Sequence, residues 1–177
     1  MKSVLASLKP YYYYLIGEGI KKIEVRKDMP KANDWNKEVL FYMSKDVKSF
    51  AKIPKEFQEK YRKHFGEVGM QIVCDEVYEW KYDYCDGVDI DEDLLLDTCL
   101  DREDINIYAK GKTLYGWHIS YLKVYDKPKS IMTFYKPCPI KLGFKNCPCC
   151  EFYSTDTGFC MNQIDRPPKS WCYIEEL

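Results

Sequence analysis

Histidine is scarce in this chain of 177 residues, which contains only His64 and His118. This scarcity argues against a catalytic metal centre built from several histidines. No apolar run approaches the roughly 20 residues that a membrane-spanning helix needs. The sequence also lacks a glycine-rich phosphate loop, an HExxH zinc motif and the serine turn of the α/β-hydrolases. These absences exclude several common enzyme classes and predict a soluble protein that does not enter a membrane.

Secretion is not expected either, because lysines interrupt the short apolar stretch at residues 1–10. The chain is therefore expected to be cytoplasmic, where cysteines stay reduced or bind metal. Nine cysteines are present. Cys147 and Cys150 have the spacing of a zinc knuckle, and Cys160 and Cys172 would complete a tetrahedral site. Such a site would be structural, since no coordination position stays open for water; free thiols are the alternative.

Charge is distributed very unevenly along the chain, although the formal net charge is only −1. Residues 1–66 contain 15 basic and 8 acidic side chains, and residues 108–177 contain 10 and 6. Residues 67–107 contain 2 basic and 14 acidic side chains. Such blocks produce oppositely charged surfaces, and a basic surface attracts phosphate even on an acidic protein. Solvated loops and helix faces are the alternative explanation.

Hydrophobic periodicity predicts a mixed α+β domain with five or six strands and two or three helices. Strands are predicted at residues 3–9, 22–27, 39–44, 70–80, 116–125 and 170–174. Helices are predicted at residues 10–17 and 49–65, with Pro10 in the first turn of the first helix. Residues 83–104 are acidic and are predicted to be loop-like, with short helical pieces around Leu94 and Ile105. Pro128 is expected to end the strand before it.

Residues 19–26 read Gly-Ile-Lys-Lys-Ile-Glu-Val-Arg and fit the pattern G-x-K-x-x-E-x-R. This pattern resembles the signature of the ASCH domain family, named for activating signal cointegrator homology. Three further fragments resemble the family in the same order: SLKP at 7–10, GWHISYLKVYDKP at 116–128 and RPPKSWCYIEEL at 166–177. The last fragment is similar to the closing strand of a cysteine-containing subgroup of small bacterial and phage ASCH proteins.

The resemblance implies a PUA-like mixed β-barrel with flanking helices, formed by residues 1–177 as one domain. Residues 83–104 are then an acidic insert in this domain, and residues 138–172 are a cysteine-rich C-terminal elaboration of it. The resemblance also favours Cys147, Cys150, Cys160 and Cys172 as the zinc ligands. Replacement of one of them by Cys138 or Cys149 is the open alternative. A cleft between the barrel and the first helix is implied, with the motif side chains inside it.

The motif residues suit a nucleotide or RNA ligand. Arg26 carries a fork of donors that matches a phosphate or a base edge, and Lys21 offers a point charge. Glu24 can accept from an exocyclic amine or act as a general acid or base. Because strand alternation would place Lys21 on the core side, we expect it in the turn before the strand. An exposed strand face with ordinary ion pairs is the alternative.

Other candidates are weaker on sequence grounds. Lys9 borders the first helix and offers a further phosphate contact, or is simply solvated. The tyrosine run at 11–14 offers rings for base stacking, but a helix directs at most one or two of them into a cleft. Trp117 and His118 are more typical of structural positions.

Three functions follow as expectations. The first is binding of RNA or a nucleotide in a cleft that contains Lys9, Lys21, Glu24 and Arg26. The second is an amidohydrolase for an acylated nucleoside of the N4-acetylcytidine type, with Lys21 and Glu24 as catalytic residues. The resemblance implies that such enzymes have a Thr where this chain has Glu24 and that they use a further Glu from a helix. No residue of this chain can be matched to that helix Glu from the sequence. The third is a protein-interaction module that uses the acidic insert.

Overall fold

The computed structural model describes residues 3–30, 37–136, 153–154, 159–160 and 162–174. The strands are β1 Ser3–Leu8, β2 Ile23–Arg26, β3 Lys37–Met43, β4 Val68–Trp80, β5 Tyr82–Asp83, β6 Gly87–Val88, β7 Leu114–Lys129, β8 Tyr153–Ser154, β9 Phe159–Cys160 and β10 Trp171–Ile174. The α-helices are α1 Pro10–Gly17, α2 Val47–Phe50, α3 Lys55–Arg62, α4 Glu92–Thr98 and α5 Arg102–Ala109. None of the helices in these ranges combines the length and apolarity that crossing a bilayer requires.

Six strands form one mixed sheet in the order β10-β1-β3-β4-β7-β2. Only β1 and β3 run parallel, and the other neighbours are antiparallel. The long strands β4 and β7 depart from regular pairing at several points, which bends the sheet into a half-barrel. The predicted α+β architecture is confirmed: the mixed sheet forms an open half-barrel with β2 and β10 as its edge strands.

Helix α1 lies over the main apolar core. Its residues Tyr13 and Ile16 are fully buried with Phe41 and Trp117 from the sheet. The ring of Tyr13 meets that of Tyr61 from α3 edge to face, with centroids 6.1 Å apart. This packing fixes α1 against the sheet and therefore fixes the direction of the side chains on its other face.

The acidic segment is more ordered than its composition suggests. Its helices bury Leu95 and Ile105 in a second core shared with Ile23 and Val25 of β2. The carboxylate of Asp101 caps α5 by accepting from the N–H of Asp104 at 2.7 Å. The short helical pieces predicted around Leu94 and Ile105 are thus present as α4 and α5, but they pack against β2 instead of lying in a loop, because their apolar side chains outweigh the many exposed carboxylates.

Two further predicted elements differ from the structure, each at a proline. The predicted helix at residues 49–65 is divided into α2 and α3, and Pro54 stands at the start of the second. Strand β7 continues past Pro128 to Lys129. The residues before Lys129 lie opposite the break in pairing between Val68 and Met70, where a residue without an N–H is tolerated.

Candidate functional site

The motif lysine reaches the site through a sharp turn after α1. Gly19 has a φ of +70°, which favours glycine. The N–H groups of Ile20 and Lys21 both donate to the main-chain oxygen of Leu15, at 2.9 and 3.0 Å. Strand β2 begins two residues later, at Ile23. Lys21 therefore lies in the turn before the strand, as the sequence predicted.

Lys21 is a buried cation, with only 2% of its surface exposed. Its Nζ donates to the main-chain oxygen of Thr98, at the end of α4, at 2.5 Å. The same Nζ lies 3.7 Å from Oε2 of Glu24 and 5.5 Å from the centroid of the Tyr12 ring. Burial lowers the pKa of Lys21, and the Glu24 carboxylate opposes that shift. The acidic segment thus holds the lysine directly.

Glu24 links the two motif cations and is itself 6% exposed. Its Oε1 lies 3.0 Å from Nε of Arg26. That nitrogen has no hydrogen bond partner among the described residues, although the carboxylate oxygen is within ion-pair distance. The contact is therefore an ion pair without a hydrogen bond, and one buried donor of Arg26 remains available.

The rest of Arg26 holds the open barrel together. Its Nη2 donates to the main-chain oxygen of Ser7 at 2.9 Å, and its Nη1 donates to that of Ser170 at 3.2 Å. Arg26 is on the edge strand β2, whereas these acceptors belong to β1 and to the residue before β10. One guanidinium group thus connects the two sides of the opening. The two guanidinium nitrogens that the sequence analysis expected to bind a phosphate or a base edge therefore donate to main-chain oxygens instead.

These side chains line a cavity of about 310 Å³ between α1, β2 and the acidic segment. The four residues predicted from the sequence, Lys9, Lys21, Glu24 and Arg26, all line it. Of the tyrosine run, only Tyr12 contributes to its wall. Tyr13 and Tyr14 are buried in the main core.

Among the wall residues that the sequence reasoning missed are Leu100, Asp104, Tyr108 and Lys169. The first three are four residues apart, which places them on one side of α5 and the turn before it. This four-residue spacing is the sequence pattern that could have indicated a shared helix face on the cavity wall. Burial, followed by the charges of Asp104 and Glu24, raises the pKa of Tyr12.

Two other residues singled out from the sequence lie away from the cavity wall. Trp117 is fully buried beneath the site, with its ring 5.8 Å from Cζ of Arg26. Nδ1 of His118 lies 2.6 Å from Oδ1 of Asp75 on the neighbouring strand. Trp117 therefore supports Arg26, and His118 forms a surface pair.

The proposed zinc site falls largely outside the described residues. Cys138, Cys147, Cys149 and Cys150 all lie there, and of Cys160 only the backbone is described. The remaining ligand, Cys172, is a half-buried thiol in β10, and burial raises its pKa. Within the described ranges, no group of three or more His, Cys, Asp or Glu side chains is placed to hold a metal ion. The zinc site stays a prediction.

Comparison with known proteins identifies the fold. The ASCH protein of Zymomonas mobilis superposes with a TM-score of 0.51 and 13% identity, covering 98% of this chain and 87% of that one. A serine-to-alanine variant of that protein gives 0.57 and 12% identity, with coverages of 98% and 88%. The chain has an ASCH-like fold. At this identity the likeness extends to the fold alone; no protein-family model and no curated protein matches the sequence.

Proposed function

We propose that the cavity of this ASCH-like chain binds a nucleoside or a single nucleotide. The observation that carries the proposal is the Lys21–Glu24 pair, in which two charged side chains are more than nine-tenths buried beside a cavity. Burying charges is costly, so such pairs are often found where a ligand is recognised. The cavity volume of about 310 Å³ is at the small end of the range for ligand sites and suits one base with its sugar.

The donors and acceptors match the edge of a cytosine-type base. The Lys21 ammonium can donate to a ring carbonyl, and Glu24 can accept from an exocyclic amine. The Tyr12 ring offers a stacking surface on the adjacent wall. Lys9 and Lys169 are exposed wall residues that suit one phosphate.

A single nucleotide is favoured over a strand of RNA because an acidic helix forms one wall. Asp104 lines the cavity, and Asp101 and Glu103 are exposed beside it on the same segment. These carboxylates would repel successive phosphates along a strand. A nucleoside, or a nucleotide with its phosphate toward Lys9, avoids that repulsion.

Hydrolysis of an N-acyl nucleoside is the second candidate, and Asp104 is the observation that favours it. The ASCH resemblance implies a carboxylate from a helix in such hydrolases, and Asp104 is a helix carboxylate in the same cavity. A neutral Lys21 would take a proton from water as the water attacks the acyl carbonyl. The ammonium would then return that proton to the departing amine, giving a carboxylic acid and the free nucleoside.

Replacing Lys21 with methionine is expected to weaken binding of cytidine or its monophosphate by about 10- to 100-fold, because Glu24 loses its buried partner and the ligand loses a charged donor. Isothermal titration calorimetry measures this loss. Lys22→Met is the matched control, since the adjacent ammonium is exposed and pairs with Asp97 at 3.1 Å. A wild-type protein that binds no nucleoside or nucleotide would overturn the proposal.

The same proteins separate the alternatives when mixed with N4-acetylcytidine and a single-stranded oligonucleotide. Release of acetate that Lys21→Met reduces by about 10²- to 10⁴-fold supports the hydrolase. Oligonucleotide binding that falls steeply with salt and exceeds nucleoside binding would instead support RNA.

A structural zinc ion is a separate proposal and rests on the spacing of Cys147, Cys150, Cys160 and Cys172. Native mass spectrometry is expected to show one zinc per chain, released by a chelator after denaturation. Cys150→Ser should lose the metal, whereas Cys85→Ser, which changes an exposed thiol outside the set, should keep it. A reduced wild-type protein free of zinc would contradict the proposal and would mean that these cysteines are ordinary thiols.

A further inference from the structure

A basic surface covers α2, α3 and their flanks. Residues 45–63 carry seven exposed cations against three carboxylates; the cations are Lys45, Lys48, Lys52, Lys55, Lys60, Arg62 and Lys63. Among the described residues, ion pairs engage only Lys60, with Glu18, and Arg62, with Glu59. Most of this positive charge therefore faces solvent, where it attracts an anionic surface.

An apolar groove of about 240 Å³ lies within the basic surface. It is lined by Val47, Phe50, Arg62 and Phe65. Val47 is 70% exposed, and Cζ of Arg62 lies 5.8 Å from the centroid of the Phe50 ring. A groove of this kind fits an apolar side chain that is surrounded by carboxylates.

The acidic segment of the same chain, residues 83–104, has an exposed aromatic side chain surrounded by carboxylates. Residues 83–104 contain ten carboxylates and one arginine, and nine of the ten carboxylates are exposed. At the turn of the β5–β6 hairpin stands Tyr84, which is 88% exposed. The carboxylate of Asp83 accepts from the N–H groups of Cys85 and Asp86 at 2.7 and 3.2 Å, which holds the turn in shape. The turn that carries Tyr84 is thus already formed before binding.

Both surfaces border α1. The N–H of Tyr11 donates to Oγ of Ser49 on α2 at 3.1 Å, and Tyr12 shares the cavity wall with Asp104 of the acidic segment. In a pair of chains related by a two-fold axis, the contact would form twice, basic surface to acidic segment in each direction. Such an isologous pairing closes the assembly at a dimer.

We propose that this chain forms a dimer in which the acidic segment of each copy docks on the basic surface of the other. Tyr84 of one copy occupies the groove beside Arg62 of its partner, and the carboxylates around it meet the lysines. The inference does not depend on what the cavity binds. It identifies the partner of the acidic segment as a second copy of this chain.

Sedimentation velocity of the full chain tests the proposal, because screening shortens the reach of exposed charges to about 3 Å at 1 M salt. The 21.1 kDa chain is expected to sediment as a dimer in dilute salt and as a monomer near 1 M salt. The double variant Lys48→Glu/Lys52→Glu should be monomeric in dilute salt, as should Asp86→Lys/Asp89→Lys. Tyr84→Ala should raise the dimer dissociation constant about 10-fold or more.

Mixing the two double variants is the decisive experiment. Each alone sets like charges against each other, whereas the mixture restores opposite charges at both contacts and should recover the dimer. Lys123→Glu, an exposed lysine outside both surfaces, should dimerise like the wild type. A wild-type chain that stays monomeric in dilute salt would overturn the proposal. So would a mixture that stays monomeric, or lysine variants that dimerise normally but lose binding of a single-stranded oligonucleotide.

Discussion

Arg26→Ala is expected to lower the free energy of unfolding by about 3–5 kcal/mol, the range for removing one partner of a buried ion pair. The variant leaves the Glu24 carboxylate buried with a single cation, Lys21, at 3.7 Å. It also leaves the main-chain oxygens of Ser7 and Ser170 without their guanidinium donor. Both losses occur where β2 approaches the opposite side of the half-barrel.

Urea unfolding measures this effect, and two variants give it a reference. Lys22→Ala removes an exposed lysine whose Nζ lies 3.1 Å from Asp97, so a change of about 1 kcal/mol or less is expected. Arg26→Lys keeps the charge but cannot donate to both oxygens at once, so an intermediate loss is expected. If Arg26→Ala costs no more than Lys22→Ala, the connection across the opening contributes nothing to stability.

The bridging role of Arg26 also shows what the sequence could and could not predict about the site. The alternation in β2 and the turn at Gly19 were readable locally, so Lys21, Glu24 and Arg26 were correctly expected to be neighbours. The acceptors of the guanidinium lie 19 and 144 residues away along the chain. Contacts of that separation depend on how the sheet curves, which no local pattern specifies.

The acidic wall was missed for a different reason. Short helices around Leu94 and Ile105 were expected, but the acidic composition of residues 83–104 gave no sign that Leu95, Ile105 and Ala109 pack against β2. A segment with few apolar residues still folds when those few share one face and meet an existing apolar surface. The consequence for function is direct, because this segment supplies Asp104 to the cavity and a main-chain oxygen to Lys21, and the helix that it begins, α5, also supplies Tyr108.

Stability is expected to fall by about 3 kcal/mol between pH 7.5 and pH 4 because of one histidine, His64. Its side chain is fully buried, and burial together with Lys63 lowers its pKa from 6.5 to about 4. Its Nδ1 lies 3.1 Å from the Tyr13 hydroxyl, and its Nε2 has no hydrogen bond partner among the described residues. Protonation would place an uncompensated cation among the rings of Tyr13 and Tyr61.

The sign follows from the lowered pKa. Above about pH 6.5 the imidazole is neutral in both the folded and the unfolded chain, so the contribution is fully present. Between pH 6.5 and about 4 only the unfolded chain binds the proton, so stability declines as the pH falls, and below about 4 the decline stops.

Urea unfolding of the wild type and of His64→Gln across this range measures the contribution of His64 to the pH dependence of stability. His64→Gln should remove most of the slope, whereas His118→Gln, which changes a surface histidine paired with Asp75, should retain the His64 contribution. An equal slope in the wild type and His64→Gln would mean that other groups control the acid sensitivity.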